Sequence, residues 1–344
     1  MNGKAWHLAA DVGGTNARFA VADTSSNRLP MVRQYSVAEH HTFTEVVLHF
    51  LADVRQTGEY KPFPEAACLA LACPVDGDII SLTNSEWRVD RKVIGSLLGQ
   101  APVQLINDFA AVGHAVTELQ AGDWVEVIPG IEDAEGPIVV LGPGTGLGVC
   151  TVVPTPGGWR VLAGEGGHVD YAPVDAIEIE VLRALTERFG RVSVERVLSG
   201  AGLENIYQVL VALQPPGWGA LKVTAKQLGT SPRANAERLS AAEITAAALD
   251  ETNPLAEEAV QIFCRSLGSH AGNLALTLGA KGGVYIAGGI VPRLRSLFLY
   301  SGFRDRYLAK GRFSDYLSAI PVRLITRDNP GLVGAATRLI RSEA

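Results

Sequence analysis

The sequence has few of the features that mark disulfide-stabilised, nucleic-acid-binding or membrane proteins. Its cysteines are scattered through apolar segments, as buried thiols in a reducing compartment are. There are four of them: Cys68, Cys73, Cys150 and Cys264. The 30 basic residues are outnumbered by 36 acidic ones and form no concentrated stretch. The sequence therefore predicts neither a disulfide framework nor a surface for nucleic acid or anionic lipid.

Long apolar runs are missing as well. Stretches such as residues 283–291 fall well below the roughly 18 apolar residues that a membrane span needs. The amino terminus reaches Asp11 after too few apolar residues to form a signal peptide. These absences predict a cytoplasmic protein that has neither a membrane nor a nucleic acid among its partners.

Glycine, by contrast, is abundant. The 344 residues include 37 glycines, about 11% of the chain, where ordinary usage is about 7%. Many of them cluster beside apolar runs, which predicts tight turns close to a ligand. The length suggests roughly two domains, and alternating strand and helix patterns predict an α/β fold.

Two similar segments punctuate this pattern. Residues 8–22 and 138–153 each predict a strand, a glycine-rich turn and a returning strand. When they are superimposed, Gly13 matches Gly144, which indicates two related units. Further strands are predicted at 67–72, 103–106 and 284–287, with a hairpin turn at 76–78. Helices are predicted at 44–56, 109–116, 176–189, 241–249, 255–278 and 332–340, with an irregular excursion at 214–240.

The two glycine turns predict phosphate binding. Converging backbone N–H groups in such turns form an anion site, although an ordinary hairpin whose glycines supply positive φ would also explain either turn alone. Neither turn leads into a helix, and no G-x-x-x-x-G-K-[ST] motif occurs, so dinucleotide-binding and P-loop folds fit poorly. Asp11 beside the first turn is a candidate Mg²⁺ ligand through water or, alternatively, a turn-capping residue.

Five motifs occur in a fixed order along the chain, at residues 11–18, 105–109, 141–148, 164–170 and 286–290. In this order they resemble the bacterial glucokinases. This is the branch without zinc of the hexokinase and actin-like ATPase superfamily. The resemblance implies a two-lobed, actin-like (ribonuclease H-like) α/β fold with a central cleft. It implies a small lobe of residues 1–117 plus 327–344 and a large lobe of residues 118–326.

The resemblance also implies an activity. The expected protein is an ATP-dependent glucokinase of glycolysis, a homodimer that transfers the γ-phosphoryl group of MgATP to the 6-hydroxyl of glucose. Its implied nucleotide-binding residues are Asp11, which would hold Mg²⁺, Gly13, Gly14, Thr15, Gly144, Thr145, Gly146 and, at the adenine, Gly288 and Gly289. Its implied sugar-binding residues are Asn84, Asn107, the general base Asp108, Glu165, His168 and Glu195.

Several of these residues have structural alternatives. Asp108 precedes a predicted helix and would cap it, Glu195 suits the first turn of a helix, and His168 fits an ordinary loop. A Glu-x-x-His metal pair is not favoured, because the glycines around Glu165 and His168 disfavour a regular helix. Gly288 and Gly289 also suit a plain strand-to-helix turn.

The activity has alternatives too. A kinase for another hexose, a non-catalytic sugar or nucleotide sensor on the same fold, and a nicotinamide-dependent oxidoreductase remain open. A repressor is disfavoured because the few residues before Leu8 offer no DNA-reading module. A related branch carries a cysteine-rich zinc motif after its Gly-His segment, whereas residues 169–173 here contain no cysteine, so no zinc is expected.

Overall fold

The computed structural model describes residues 3–26, 28–82, 85–213 and 238–342. The chain divides into two compact units. The first contains Met1–Ala121, Val161–Ala163 and Arg327–Ala344, and the second contains Gly122–Arg160 and Gly164–Thr326. Each unit has its own sheet and its own apolar core.

The elements of the described residues alternate between strand and helix. The strands are β1 (His7–Val12), β2 (Asn16–Ala22), β3 (Met31–Ser36), β4 (Ala67–Leu71), β5 (Ile79–Ser81), β6 (Arg88–Asp90), β7 (Val103–Asn107), β8 (Trp124–Ile128), β9 (Ile138–Pro143), β10 (Leu147–Thr155), β11 (Gly158–Gly164), β12 (Gly283–Ile286) and β13 (Val322–Ile325). The α-helices are α1 (Phe43–Thr57), α2 (Arg91–Leu97), α3 (Asp108–Val116), α4 (Ala176–Phe189), α5 (Gly200–Leu213), α6 (Ala241–Leu249), α7 (Pro254–Leu278), α8 (Arg295–Leu299), α9 (Phe303–Leu308), α10 (Ser314–Ser318) and α11 (Pro330–Ser342). Short 3₁₀ turns lie at Val37–Glu39, Gly166–His168, Val194–Arg196 and Gly311–Phe313.

The first unit is built on a sheet with the strand order β3-β2-β1-β4-β7. Strands β1, β2 and β3 run antiparallel, whereas β4 and β7 run parallel to β1. Successive side chains of a strand point to opposite faces. Leu8 and Ala10 accordingly pack in a core cluster with α1, and Ala9 packs in another with α11.

The second unit repeats this arrangement. Its sheet has the order β11-β10-β9-β12-β13-β8, in which β9 and β10 form an antiparallel hairpin and β12 and β13 continue parallel to β9. An extra strand, β8, pairs antiparallel with β13 at the edge. The two predicted hairpins thus occupy equivalent places in two sheets, which confirms that the units are related.

Helix α1 shows how local sequence sets an element. Its N-cap is Thr42, whose side chain accepts a hydrogen bond from the backbone of Glu45, and it ends at Gly58 in the left-handed conformation. Both are favoured at helix termini. Its apolar residues, spaced at three and four positions, bury one face in the core of the first unit.

One predicted turn differs from the structure, and one predicted segment lies mostly outside the described residues. The hairpin turn predicted at 76–78 is wrong, because β5 pairs antiparallel with β6, which follows it in the chain. The predicted excursion at 214–240 lies, for residues 214–237, outside the described residues.

The four cysteines are buried thiols outside any disulfide, as the sequence predicts. Burial raises the pKa of Cys68 and that of Cys264 to about 12, which keeps both thiols protonated and unreactive. In the described part of the chain, no helix combines the length and apolar character that a bilayer crossing requires.

Candidate active site

The first glycine turn joins β1 to β2. It is closed by a hydrogen bond of 3.0 Å from the backbone N–H of Gly13 to the carbonyl of Asn16, and Thr15 lies exposed at its tip. Neither Gly13 nor Gly14 has a left-handed φ. A Cβ atom on Gly13 would meet its nearest heavy atom, the carbonyl oxygen of Asn16, only at 3.6 Å. Neither backbone conformation nor packing therefore requires glycine at position 13.

The second glycine turn joins β9 to β10 and has the same character. The N–H of Gly144 donates to the carbonyl of Gly146 at 2.8 Å, and Thr145 is exposed. No glycine of this turn has a left-handed φ, and a Cβ atom on Gly144 would lie 4.0 Å from the nearest heavy atom, the backbone nitrogen of Gly289. The explanation that these glycines merely supply positive φ is wrong for both turns.

The turn after β12 packs against this second glycine turn. The N–H of Ala287 donates to the carbonyl of Leu141 at 2.8 Å. Gly288 has φ +85°, and a Cβ atom there would overlap the carbonyl oxygen of Pro143. Its neighbour Gly289 has no heavy atom within 4 Å of an added Cβ. Glycine at 288 is therefore required by the fold, whereas Gly289 and Gly144 face open space.

Asp11 lies at the end of β1, beside the first glycine turn. Its side chain is 22% exposed, and its Oδ2 lies 3.9 Å from Nη1 of Arg18. Burial raises the pKa of Asp11 above its ordinary 3.8, and the charge of Arg18 offsets this only in part. A Cβ atom on Gly331, in the first turn of α11, would lie 3.1 Å from the carboxyl carbon.

The chemistry of Asp11 fits a magnesium ion held through water. A weakly paired carboxylate near a phosphate-binding turn is the ligand that Mg²⁺ takes together with phosphate oxygens. Among the described residues, no group of three or more His, Cys, Asp and Glu side chains is arranged to hold a metal.

Asn107 and Asp108 lie where β7 ends and α3 begins. Asn107 is the N-cap, since its Oδ1 accepts hydrogen bonds from the backbones of Phe109 at 2.9 Å and Ala110 at 3.1 Å. Asn107, not Asp108, therefore occupies the N-cap position, although Asp108 also accepts a backbone N–H at this end of the helix. Asp108 is the first helical residue, is half-buried, and its Oδ1 accepts from the N–H of Phe109 at 2.8 Å. The positive end of α3 stabilises a negative charge there.

The register of the first sheet brings these residues to one edge. Val12 pairs with Leu71, and Leu71 pairs with Asn107, so the carboxyl ends of β1, β4 and β7 lie in one row. Ligands of open α/β sheets commonly bind beyond such ends. The first unit thus gathers its candidate nucleotide and sugar residues along a single edge.

Glu165 directly precedes the 3₁₀ turn Gly166–His168 that follows β11, and His168 ends this turn. Their side chains are 65% and 57% exposed, and Oε2 of the glutamate lies 3.9 Å from Nε2 of the histidine. The turn packs against the start of β10, because a Cβ atom on Gly167 would overlap the carbonyl oxygen of Leu147. Glycine is needed here for close approach. No α-helix forms here, as the sequence predicts, so the helical geometry of a metal pair is absent from this described segment.

Glu195 lies in the 3₁₀ turn Val194–Arg196 and contacts the second glycine turn. Its Oε2 accepts a hydrogen bond of 2.8 Å from the N–H of Leu147, and a Cβ atom on Gly146 would lie 2.5 Å from the same oxygen. The sequence offered no signal for this contact, because the two residues are 48 positions apart. Asn84, the remaining predicted sugar ligand, lies outside the described residues.

Solved structures define the class of protein. The chain is similar to a glucokinase from an Antarctic psychrotroph, with 33% identity, a TM-score of 0.81 and coverage of 97% of this chain and 98% of that one. It has the fold of the glucokinase of Balamuthia mandrillaris solved with glucose (22% identity, TM-score 0.77, coverage 98% and 94%). It also has the fold of a ROK family glucokinase from Streptomyces griseus solved with glucose and AMPPNP (20% identity, TM-score 0.60, coverage 96% and 98%). The fold is that of the two-lobed, actin-like sugar kinases.

Sequence comparison then gives the family. A family model described as Glucokinase matches residues 8–342. The curated glucokinase of Colwellia psychrerythraea is 41% identical over 333 residues, which cover 97% of this chain and 96% of that protein. That of Marinobacter nauticus is 40% identical over 349 aligned positions, covering 100% of both chains. The chain belongs to the glucokinase family.

Proposed function

We propose that the protein is an ATP-dependent glucokinase that transfers the γ-phosphoryl group of MgATP to the 6-hydroxyl of glucose. Family membership supports the reaction class, and the ROK relative solved with glucose and AMPPNP supports the pair of substrates. The observation that carries the proposal is the room at Gly13, Gly144 and Gly289, where an added Cβ atom would come no closer than 3.6 Å to the nearest heavy atom. Glycines that neither φ nor packing requires leave room for a ligand to approach the backbone.

The two glycine turns are proposed to bind the phosphate chain of ATP. Backbone N–H groups and exposed hydroxyls at a turn tip are suited to phosphate oxygens. When bound, Mg²⁺ would neutralise charge on the phosphates, and Asp11 would hold it through water. Gly288 and Gly289 would form the adenine side of the site. The turn residues proposed are Gly13, Gly14, Thr15, Gly144, Thr145 and Gly146.

Asp108 is proposed to be the general base. A sugar hydroxyl is a weak nucleophile, and a carboxylate about 2.6–3.2 Å from it can accept its proton in the transition state. At the start of α3, a negative charge on Asp108 is favoured by the helix dipole, and its Oδ1 is held by the N–H of Phe109 at 2.8 Å. Asn107 would contribute the second hydrogen of its amide nitrogen, since its Oδ1 is engaged in capping and its Nδ2 already donates to the carbonyl of Cys73 at 3.4 Å. Asn84, Glu165, His168 and Glu195 would bind the remaining hydroxyls.

The experiment that tests this function is ADP production by the purified protein with MgATP. We expect turnover with glucose and measure mannose, fructose and N-acetylglucosamine in parallel, because epimers differ only in hydrogen-bond geometry. Turnover with another hexose but not with glucose would show that the other hexose is the substrate. Nucleotide and sugar binding without turnover would favour the sensor, and hydride transfer to a nicotinamide cofactor would favour the oxidoreductase.

The cellular setting is part of the same proposal. We propose a cytoplasmic, glycolytic homodimer that needs no zinc, with the lobes at 1–117 plus 327–344 and at 118–326. Light scattering on the purified protein tests the dimer, because one chain has a mass of 36.4 kDa and a dimer has twice that mass.

A further inference from the structure

One residue of the second unit connects the proposed sugar ligands to the proposed phosphate-binding turn. Leu147 directly follows Gly146 and begins β10. Its N–H donates to Oε2 of Glu195 at 2.8 Å, and its carbonyl oxygen packs against Gly167, inside the turn that follows Glu165 and ends at His168. Both segments that would bind the sugar therefore meet the backbone at the end of the phosphate-binding turn.

The segment that carries Glu195 holds this turn at two points. Besides the Glu195 contact, the N–H of Gly200 donates to the carbonyl of Gly144 at 2.8 Å. The segment is itself fixed, since Oγ of Ser199 donates to the carbonyl of Glu195 at 2.7 Å and accepts from the N–H of Gly202 at 3.0 Å. The carboxylate is thus presented to Leu147 by a short, internally bonded stretch of chain.

We infer that Glu195 positions the phosphate-binding turn in addition to serving as a sugar ligand. One carboxylate oxygen, Oε2, fixes the turn through the N–H of Leu147. The other, Oε1, accepts no hydrogen bond from the residues that the structure describes and is available to a sugar hydroxyl. A hydrogen bond to an ionised acceptor is stronger than a neutral one, so this contact bears on the conformation of the turn. The inference rests on the proposed function of that turn.

The distinguishing consequence is an effect on nucleotide binding when no sugar is present. A residue that only contacts sugar leaves the affinity for MgADP unchanged in the absence of glucose. A residue that positions the turn changes that affinity and also couples the two ligands energetically.

The test is calorimetric titration of the full-length protein with MgADP, without sugar, and separately with glucose. We expect Glu195→Ala to weaken MgADP binding by about fivefold or more and to weaken glucose binding as well. Glu195→Gln keeps an acceptor for the N–H of Leu147 and should restore MgADP affinity to within about twofold of the wild type. Glu165→Ala is the matched control: it removes another proposed sugar carboxylate and should weaken only glucose binding.

A second variant reaches the same contact from the other side. Gly146→Ala places a Cβ atom 2.5 Å from Oε2 of Glu195, so it should displace the carboxylate and weaken MgADP binding without removing the glutamate. If Glu195→Ala fails to fold, as judged by circular dichroism, Gly146→Ala is also titrated with glucose alone, because Gly146 itself belongs to the proposed phosphate-binding turn. Loss of both MgADP and glucose affinity supports the inference, since displacing the carboxylate affects both ligands, whereas loss of MgADP affinity with unchanged glucose binding overturns it.

The inference is overturned by any of three further results. The first is MgADP binding within twofold of the wild type in each of Glu195→Ala and Gly146→Ala that folds. The second is a Glu195→Gln variant that binds MgADP as weakly as Glu195→Ala does. The third is a Glu165→Ala variant that loses as much MgADP affinity as Glu195→Ala does. The proposed function fails separately, when the wild-type protein neither binds MgADP nor releases ADP with glucose.

Discussion

The proposed catalytic role of Asp108 can be tested by a substitution that leaves the helix cap in place. Its neighbour Asn107 satisfies the first N–H groups of α3, so the helix does not depend on the carboxylate of Asp108 for its cap. We expect Asp108→Asn to lower kcat by roughly 10²–10⁴, the usual contribution of a general base, with a much smaller change in KM for glucose. Steady-state kinetics measures both quantities.

The cap provides the control for that variant. Asp108→Asn should unfold within a few degrees of the wild type, whereas Asn107→Ala, which removes the cap, should lower the free energy of unfolding by about 0.5–2 kcal/mol. Near wild-type turnover in Asp108→Asn would refute the assignment of the base.

The proposed function of Asp11, unlike that of Asp108, is expected to lower the stability of the folded protein. Burial raises the pKa of Asp11, so the folded chain binds the proton more tightly than the unfolded chain does. Stability from this group is therefore greatest at low pH and falls as pH rises from about 3.8 through the raised value. We expect Asp11→Asn to be at least as stable as the wild type at pH 8, and to gain less near pH 4.

Thermal unfolding at the two pH values measures this difference, and titration with MgADP measures the loss of function that should accompany it. A variant that is less stable than the wild type at pH 8 would show that the pair with Arg18 outweighs the cost of burial. Adding enough chelator to bind all the Mg²⁺ in the assay should abolish the wild-type activity. The same chelator should leave the unfolding temperature of the ligand-free protein unchanged.

The candidate residues differ in how far sequence could place them. Asp108 and Glu165 lie in motifs whose order along the chain identifies the family, so their neighbourhoods could be predicted. The capping role of Asn107 depends on where α3 begins, within one residue, and short patterns do not resolve that. The contact between Glu195 and Leu147 depends on how a distant turn folds back, and no local pattern encodes it.

At the scale of elements, helices with clear caps were predicted within a residue or two. The bounds of α4 and α6 coincide with prediction, and each begins after an N-cap side chain, Asp175 and Ser240 respectively. Helix α5 was not predicted, although its buried apolar residues Leu203, Ile206, Tyr207 and Leu210 recur at three- and four-residue spacing, the period that identifies a helix. Strand β3 was also missed, since its exposed polar residues do not alternate with apolar ones.

The packing of α11 on α3 gives a prediction at this scale. A Cβ atom on Gly334 would overlap the carbonyl of Ala111, so the two helices approach closely only because this residue is glycine. We expect Gly334→Ala to lower the free energy of unfolding by about 1–3 kcal/mol, as overpacking usually does. Chemical denaturation measures it.

Gly157→Ala is the control for that substitution. Gly157 has no heavy atom within 4 Å of an added Cβ and no left-handed φ, so alanine there should change stability by less than about 0.5 kcal/mol. Equal stability of Gly334→Ala and the wild type would mean that the helices separate without cost.

For the whole molecule, the sequence predicted two related units from two glycine hairpins alone. The equivalent strand orders confirm this relation, because each hairpin begins a sheet that continues through two parallel strands. The extra edge strand β8 was not predicted: its pairing with β13 joins residues nearly two hundred positions apart, and such pairing leaves no local trace in the sequence.

The proposed sugar ligands are divided between these units. Asn107 and Asp108 belong to the first, whereas Glu165, His168 and Glu195 belong to the second. A ligand that binds only the native state stabilises every part of the structure on which its binding depends. Under the proposed function, one glucose molecule should therefore slow amide hydrogen exchange in both units, at Phe109 and Ala110 in the first and at Gly167 and Leu147 in the second.

Hydrogen exchange read by mass spectrometry, with and without glucose, checks this expectation. Galactose at the same concentration gives the background for a sugar that differs by one hydroxyl. Because the amides of Phe109 and Ala110 are bonded to the cap Asn107, slower exchange there reports that glucose stabilises the end of α3 beside the proposed base. Protection confined to the second unit would mean that glucose binds without Asp108, and the assignment of the general base would then fail even if the protein phosphorylates sugar.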